Sequence, residues 1–168
     1  LVNMVDTSGN DPEWLLDAAE EYGTIACAAK FAGEYRRKPT SDVGSAKPYV
    51  KQQGSKNRNS PNCYAYAINS PVNEQPGGRS GNIPAKWNDV YDVGQSVEAD
   101  MKSRGNSIRV IDGPNAKVYA NEYKIALRVG TKPCGYDVVT GELFYDYHFM
   151  RQTNTGQWAE KHGIGGDS

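Results

Sequence analysis

The chain has few of the residues that build disulfide frameworks or metal centres. Its 168 residues include three cysteines, Cys27, Cys63 and Cys134, and two histidines, His148 and His162. An odd and sparse set of cysteines does not form a disulfide framework, and no Cys-x-x-Cys pair indicates zinc. We therefore expect neither a metal ion nor another cofactor.

An excess of one charge and long apolar runs are also missing from the sequence. Its 19 basic and 20 acidic residues leave a net charge of −1, which argues against a general nucleic-acid or membrane-surface binder. No window approaches the roughly 18 consecutive apolar residues that a membrane span needs. The first four residues lack a charged start and an apolar core, so we expect no signal peptide.

What the chain has in abundance is residues of turns and short strands. It contains 18 glycines, 9 prolines and 11 tyrosines, and its mean hydropathy is −0.72. This composition is typical of a loop-rich α+β protein. The length predicts one domain over residues 1–168, large enough for a core of its own, and we expect a monomer.

The spacing of apolar residues and of helix breakers predicts helices first and strands later, which is an α+β pattern. Asp11 caps a predicted helix over residues 12–37, and residues 38–61 are predicted to be irregular. Two further helices are predicted over residues 62–68 and 90–104. The predicted strands cover residues 107–111, 123–129, 143–151 and 157–161, with a hairpin turn at residues 153–156.

Cys63 occupies the most informative position in the chain. Pro61 can stand at the entrance of a helix and Asn62 can cap it, which places Cys63 in the first turn. The positive end of the helix dipole favours a thiolate over a thiol at this position. This position predicts a catalytic nucleophile.

His148 is the predicted base that works with Cys63. On the predicted strand, Asp146, His148 and Met150 share one face, whereas Tyr147 and Phe149 belong to the other. A cysteine at the start of a helix and a histidine on a later strand are two parts of a thiol–imidazole hydrolase site.

A third residue must orient the His148 ring. A hairpin that closes across residues 153–156 sets position 148 opposite position 161, or opposite 160 if a bulge or a three-residue loop intervenes. Glu160 is therefore the predicted partner of the ring. Three poorer candidates for this role stay open: Asp146, Gln152 and Asn154.

An oxyanion site requires donors aimed at the developing negative charge. The backbone N–H of Cys63 is one predicted donor, and the side chain of Asn62 or Gln53 is another. Tyr64 is a further candidate for the substrate-binding wall, although it is equally compatible with a place in the core.

Residues 62–67, 146–152 and 156–163 together resemble the papain-like hydrolases of the NlpC and CHAP types. They are still more similar to a bacterial group with an Asn-Cys-Tyr-Ala-Tyr-Ala block. The resemblance implies a papain-like fold in which a cysteine-bearing helix packs on an antiparallel sheet. It implies a catalytic core over residues 61–163, preceded by a helix and a long loop over residues 1–60.

The resemblance also implies amide or ester hydrolysis by Cys63 and His148, with a peptide, peptidoglycan or a protein as substrate. It suggests a bacterial protein that is secreted, delivered as an effector or carried by a virion. Enzymes of the NlpC type often have a histidine as the third residue, where this chain offers Glu160 or Lys161. Two alternatives stay open: a non-catalytic binding or virion/toxin module, and a glutamine deamidase or transglutaminase with the same Cys–His pair.

Overall fold

A five-stranded antiparallel sheet forms the centre of the protein, in a computed structural model that describes residues 22–30, 41–49, 51 and 60–162. The strands are β1 Tyr22–Lys30, β2 Ser107–Val110, β3 Glu122–Gly130, β4 Gly135–Tyr136, β5 Leu143–Phe144, β6 Tyr147–Gln152 and β7 Trp158–Glu160. The order in the main sheet is β2-β1-β3-β6-β7, and β4 and β5 form a separate two-stranded sheet.

Two described helices pack on this sheet. The short helix α1, Cys63–Ala67, lies mainly against β6, whereas α2, Val90–Ser103, lies against β1, β2 and β3. Asp89 caps α2 by accepting hydrogen bonds from the N–H groups of its first turn. The predicted helices over residues 62–68 and 90–104 are thus confirmed, as is the α+β class. No described helix is long and apolar enough to cross a membrane.

The main core lies between the two helices and one face of the sheet. Helix α2 contributes Val93, Val97 and Met101 at a spacing of four residues, which places all three on its buried face. The remaining buried members of the core come from α1, its C-terminal cap and the central strands: Cys63, Tyr64, Ala67, Ile68, Tyr123, Ile125, Leu127, Val129 and Phe149.

The predicted helix over residues 12–37 is wrong where the structure describes it, because Tyr22–Lys30 forms strand β1. The alanines of this segment favour a helix, but hydrogen bonds to β2 on one side and β3 on the other override that preference. The rest of this prediction lies outside the described residues. Strand β1 is the second strand of the main sheet.

The predicted strand over residues 143–151 is divided in two. Tyr145 and Asp146 lie between β5 and β6. The Asp146 carbonyl accepts from the N–H of Gly130, and its carboxylate accepts from the N–H of Tyr147. The hairpin that follows pairs Met150 with Glu160. Thr153 bonds to Gln157 and so closes a three-residue loop. The pairing sets position 148 opposite position 162, so both predicted registers, with 161 or 160 opposite 148, are wrong.

Candidate active site

Helix α1 begins at Cys63, as the sequence predicts. The Asn62 side chain accepts a hydrogen bond of 2.9 Å from the N–H of Ala65, which caps the helix. The amide of Asn62 also donates to the carbonyl oxygen of Glu74 at 2.6 Å. These two bonds fix the Asn62 side chain in a structural role, which leaves the helix N-terminus itself as the predicted source of oxyanion donors.

The Cys63 side chain is buried, with only 6% of the residue exposed. Its Sγ lies 4.0 Å from the carbonyl oxygen of Tyr147, toward which the thiol donates. Burial raises the pKa of Cys63 to about 11, and the charge of Asp146 adds to the increase. The helix start does not bring the pKa of this thiol below its ordinary value, because desolvation outweighs the backbone hydrogen bonds with Phe149, Tyr64 and Cys63 that lower the pKa.

Tyr64 points into the core and not into a substrate site. The residue is fully buried, and its ring packs against that of Phe149 at a centroid distance of 4.9 Å. Its hydroxyl donates to the carboxylate of Asp100 at 2.9 Å. The prediction of a substrate-binding role for the Tyr64 side chain is therefore wrong. Gln53, the other predicted oxyanion donor, lies outside the described residues.

Asp100 connects the loop between α1 and α2 to both helices. This buried carboxylate of α2 accepts from the Tyr64 hydroxyl and from the N–H groups of Gly77 and Ser80, each of these two at 2.8 Å. The Tyr147 hydroxyl donates to Gln75 of the same loop at 2.7 Å. The loop is thus held in place at several points, and Gln75 forms part of the rim of a cleft.

This cleft has a volume of about 550 Å³ and lies at the beginning of β6. Cys63 and His148 both border it, as does Asn62. Most of its other lining is polar: Asn73, Gln75, Arg128, Asp146 and His162. The structure therefore brings the predicted nucleophile and the predicted base to one cavity.

Glu160 lies beside the His148 ring, as the sequence predicts. The His148 Nε2 and a Glu160 carboxylate oxygen are 2.7 Å apart, and both side chains are largely buried. Burial alone would raise the pKa of Glu160, but the hydrogen bond and charge of His148, with the charges of His162 and Arg128, outweigh burial and lower the pKa. The carboxylate can therefore fix the ring with Nε2 protonated and Nδ1 as the basic nitrogen.

The alternation of side chains along β6 sets Cys63 and His148 on different sides of the strand. Tyr147 and Phe149 pack with Cys63 in the main core. His148 lies on the opposite face, where it bonds to Glu160 of the neighbouring strand. Both side chains nevertheless border the same cleft, together with Asp146 and Tyr147.

His162 belongs to the site, although the sequence pattern predicts no role for it. Its Nε2 lies 3.1 Å from the second oxygen of Glu160. The rings of His148 and His162 stack at a centroid distance of 5.7 Å and an angle of 22°. The hairpin register could have revealed this contact, because the pairing of Met150 with Glu160 continues toward position 162 opposite position 148.

Arg128 is a second residue that was not predicted for the site. It pairs directly with His148 across β3 and β6, and so shares its face of the sheet. Alternation over residues 123–129 predicts that Arg128 shares a face with Lys124 and Ala126, but it does not predict which strand pairs with this one.

Comparisons of the chain with protein-family models, with curated proteins and with solved structures gave no match.

Proposed function

We propose that this protein is a papain-like thiol hydrolase that acts on an amide bond. Cys63 is the nucleophile, His148 the general base and acid, and Glu160 the residue that orients His148. The observation that carries this proposal is the common cleft: Cys63 at a helix start and a carboxylate-held His148 border the same cavity.

Because the pKa of Cys63 is raised, the thiol must lose its proton during the attack on the substrate and not before it. The resting thiol is neutral, so His148 takes its proton as Sγ attacks the substrate carbonyl carbon. The new S–C bond forms a tetrahedral oxyanion, which the N–H groups at the start of α1 stabilise. His148 then gives the proton to the leaving amine as the C–N bond breaks, and water hydrolyses the resulting thioester.

The lining of the cleft favours a polar, peptide-like substrate. Arg128 and Asp146 supply one charge of each sign, and Asn73 and Gln75 supply amides that can bond to a peptide backbone. A peptide, the peptide part of peptidoglycan or a segment of a protein offers matching groups.

The proposal is tested by acylation with p-nitrophenyl acetate, which needs no knowledge of the natural substrate. In a Cys134→Ser background, we expect one acetyl group on Cys63, located by mass spectrometry of peptides. Cys63→Ser should remove it. His148→Gln should slow it by about 10²-fold or more, since that is the contribution of a general base. Equal acetylation rates of Cys63 with and without His148 would exclude the proposed pair.

A non-catalytic binding module is the second candidate, and a specific observation favours it. Cys63 packs in the core on the Phe149 side of β6, whereas His148 lies on the other side. A buried neutral thiol in such surroundings behaves as a small apolar side chain. For a binding module, the acetylation experiment should give a slow reaction at Cys63 that His148→Gln leaves unchanged.

A further inference from the structure

Three potential metal ligands converge on one point at the edge of the sheet. The Nε2 atoms of His148 and His162 lie 2.7 and 3.1 Å from the two oxygens of the Glu160 carboxylate. The ligand atoms of these three residues all lie within 4.8 Å of one another. Two imidazoles therefore face one carboxylate from neighbouring positions.

The hairpin between β6 and β7 produces this arrangement. Glu160 pairs with Met150, so it lies diagonally across from His148 on the same face of the sheet. Two residues later, His162 returns to that face and stacks on the His148 ring. The ligands thus come from positions 12 and 14 residues apart, which is why their spacing resembles no sequence motif for a metal site.

The chemistry of these ligands suits zinc. Zn²⁺ binds imidazole nitrogen and carboxylate oxygen at about 2.0–2.2 Å, and two histidines with one glutamate, plus an open position, form a known catalytic ligand set. Mg²⁺ and Ca²⁺ prefer sites made of oxygen alone. A tetrahedral ion with such bond lengths separates its ligands by roughly 3.3–3.5 Å. The two histidine–glutamate contacts of 2.7 and 3.1 Å must therefore lengthen slightly, and the most distant pair of ligand atoms, which lie within 4.8 Å, must close to that separation.

The surroundings allow an ion to enter. The His162 side chain is 63% exposed, whereas those of His148 and Glu160 are 11% and 20% exposed. Among the residues that line the described cleft, Arg128 opposes a cation and Asp146 attracts one. Their effects on a bound cation have opposite signs.

We propose that His148, Glu160 and His162 bind one zinc-class divalent cation, which holds the active site in an inhibited form. The metal takes the Nε2 of His148 and the carboxylate of Glu160, and so removes the hydrogen bond that orients the base. The inhibitory part of the inference rests on the proposed function, whereas the binding part does not.

Zn²⁺ binding is measured first, by equilibrium dialysis of the full chain without an affinity tag. We expect one Zn²⁺ per chain, and His162→Gln should weaken binding by about 10²-fold because one of three ligands is lost. His162 is largely exposed, so this variant retains the core. Cys63→Ser and Cys134→Ser serve as controls that keep the affinity. Equal binding by His162→Gln and the unaltered protein, or loss of binding in a cysteine variant, would overturn the site.

The second arm measures acetylation of Cys63 at saturating Zn²⁺. We expect Zn²⁺ to suppress acetylation in the Cys134→Ser protein at least tenfold, and a chelator to restore it. The same Zn²⁺ concentration should leave His162→Gln unaffected. If Zn²⁺ binds through His162 but does not slow acetylation, the inhibitory part is wrong. If metal-free protein is not acetylated at Cys63 at all, the proposed function fails while the metal site stands.

Discussion

The two walls of the cleft place their reactive groups in opposite surroundings. On the helix wall, Cys63 is 6% exposed and packs among apolar side chains. On the sheet wall, Glu160 bonds to both His148 and His162, and the His162 side chain is 63% exposed. One wall holds a neutral thiol, and the other holds a cluster of polar groups that is open to solvent at His162.

The difference shows how packing competes with reactivity. Helix α1 has only five residues, so contacts with the sheet must stabilise it, and these contacts also desolvate the thiol. The imidazoles lie at the open end of the β6–β7 hairpin, where both contact the Glu160 carboxylate and the His162 ring also reaches water. A cysteine in the first turn of a helix is therefore not a thiolate by virtue of that position alone.

The largest loss of stability is expected from Asp100→Ala, which removes the carboxylate that connects α1 and the neighbouring loop to α2. The carboxylate accepts three hydrogen bonds inside the protein, from Tyr64, Gly77 and Ser80. Leaving these donors without a partner should lower the free energy of unfolding by about 3–5 kcal/mol, measured by urea denaturation. Glu98→Gln, at an exposed position of the same helix, is the matched control. A loss below about 1 kcal/mol would show that the loop and α1 do not depend on Asp100.

The next effect concerns the reactivity of the thiol itself. Because the pKa of Cys63 is raised to about 11, its thiolate fraction should increase about tenfold per pH unit from pH 8 to 10. Iodoacetamide labelling of Cys63 in a Cys134→Ser background, quantified by peptide mass, should follow this increase without a plateau. In urea-unfolded protein the plateau should appear above about pH 8.5. A plateau near pH 7 in the folded protein would instead indicate a preformed thiolate.

A smaller loss of stability is expected when Asn62, the N-terminal cap of α1, is replaced. Asn62→Ala removes both the bond to Ala65 and the bond to Glu74, and should cost about 1–2 kcal/mol of stability. Asn62→Ser keeps an oxygen that can cap the helix, so it should recover about half of this loss. Thermal or urea unfolding measures both variants. Equal losses for the two would mean that the cap contributes nothing and that the bond to Glu74 carries the whole effect.

The helix wall could be predicted from local signals, whereas the sheet wall could be predicted only in part. Pro61 and Asn62 mark the start of α1 by short-range chemistry, and α2 shows its buried face by periodicity. Glu160 was identified as the partner of His148 even though the predicted register was wrong, because a long side chain reaches a diagonal neighbour.

Tertiary contacts decided what the local signals could not. Strand β1 is a strand because β2 and β3 bond to it, and nothing within its own alanine-rich sequence shows that. His162 enters the site because a three-residue loop sets the register of the hairpin. The burial of Cys63 depends on the packing of α1 against β6, which is a long-range contact.

The smallest effect is expected on the sheet wall, from Glu160→Gln. The glutamine keeps the shape of the side chain but lacks the negative charge, so we expect the free energy of unfolding to fall by about 1 kcal/mol at pH 7. The pKa of Glu160 is lowered in the folded protein. Such a group stabilises the fold above its unfolded pKa of about 4.3, and this stabilisation is lost as the pH falls through the folded value. The difference between the two proteins should therefore shrink below pH 4, as measured by urea unfolding at several pH values.

Glu142→Gln, at an exposed position of the β4–β5 hairpin, should show no such pH-dependent difference. If Glu160→Gln and the unaltered protein lose stability in parallel as the pH falls, the carboxylate is not held by its histidine neighbours, and the contrast between the two walls loses its electrostatic basis.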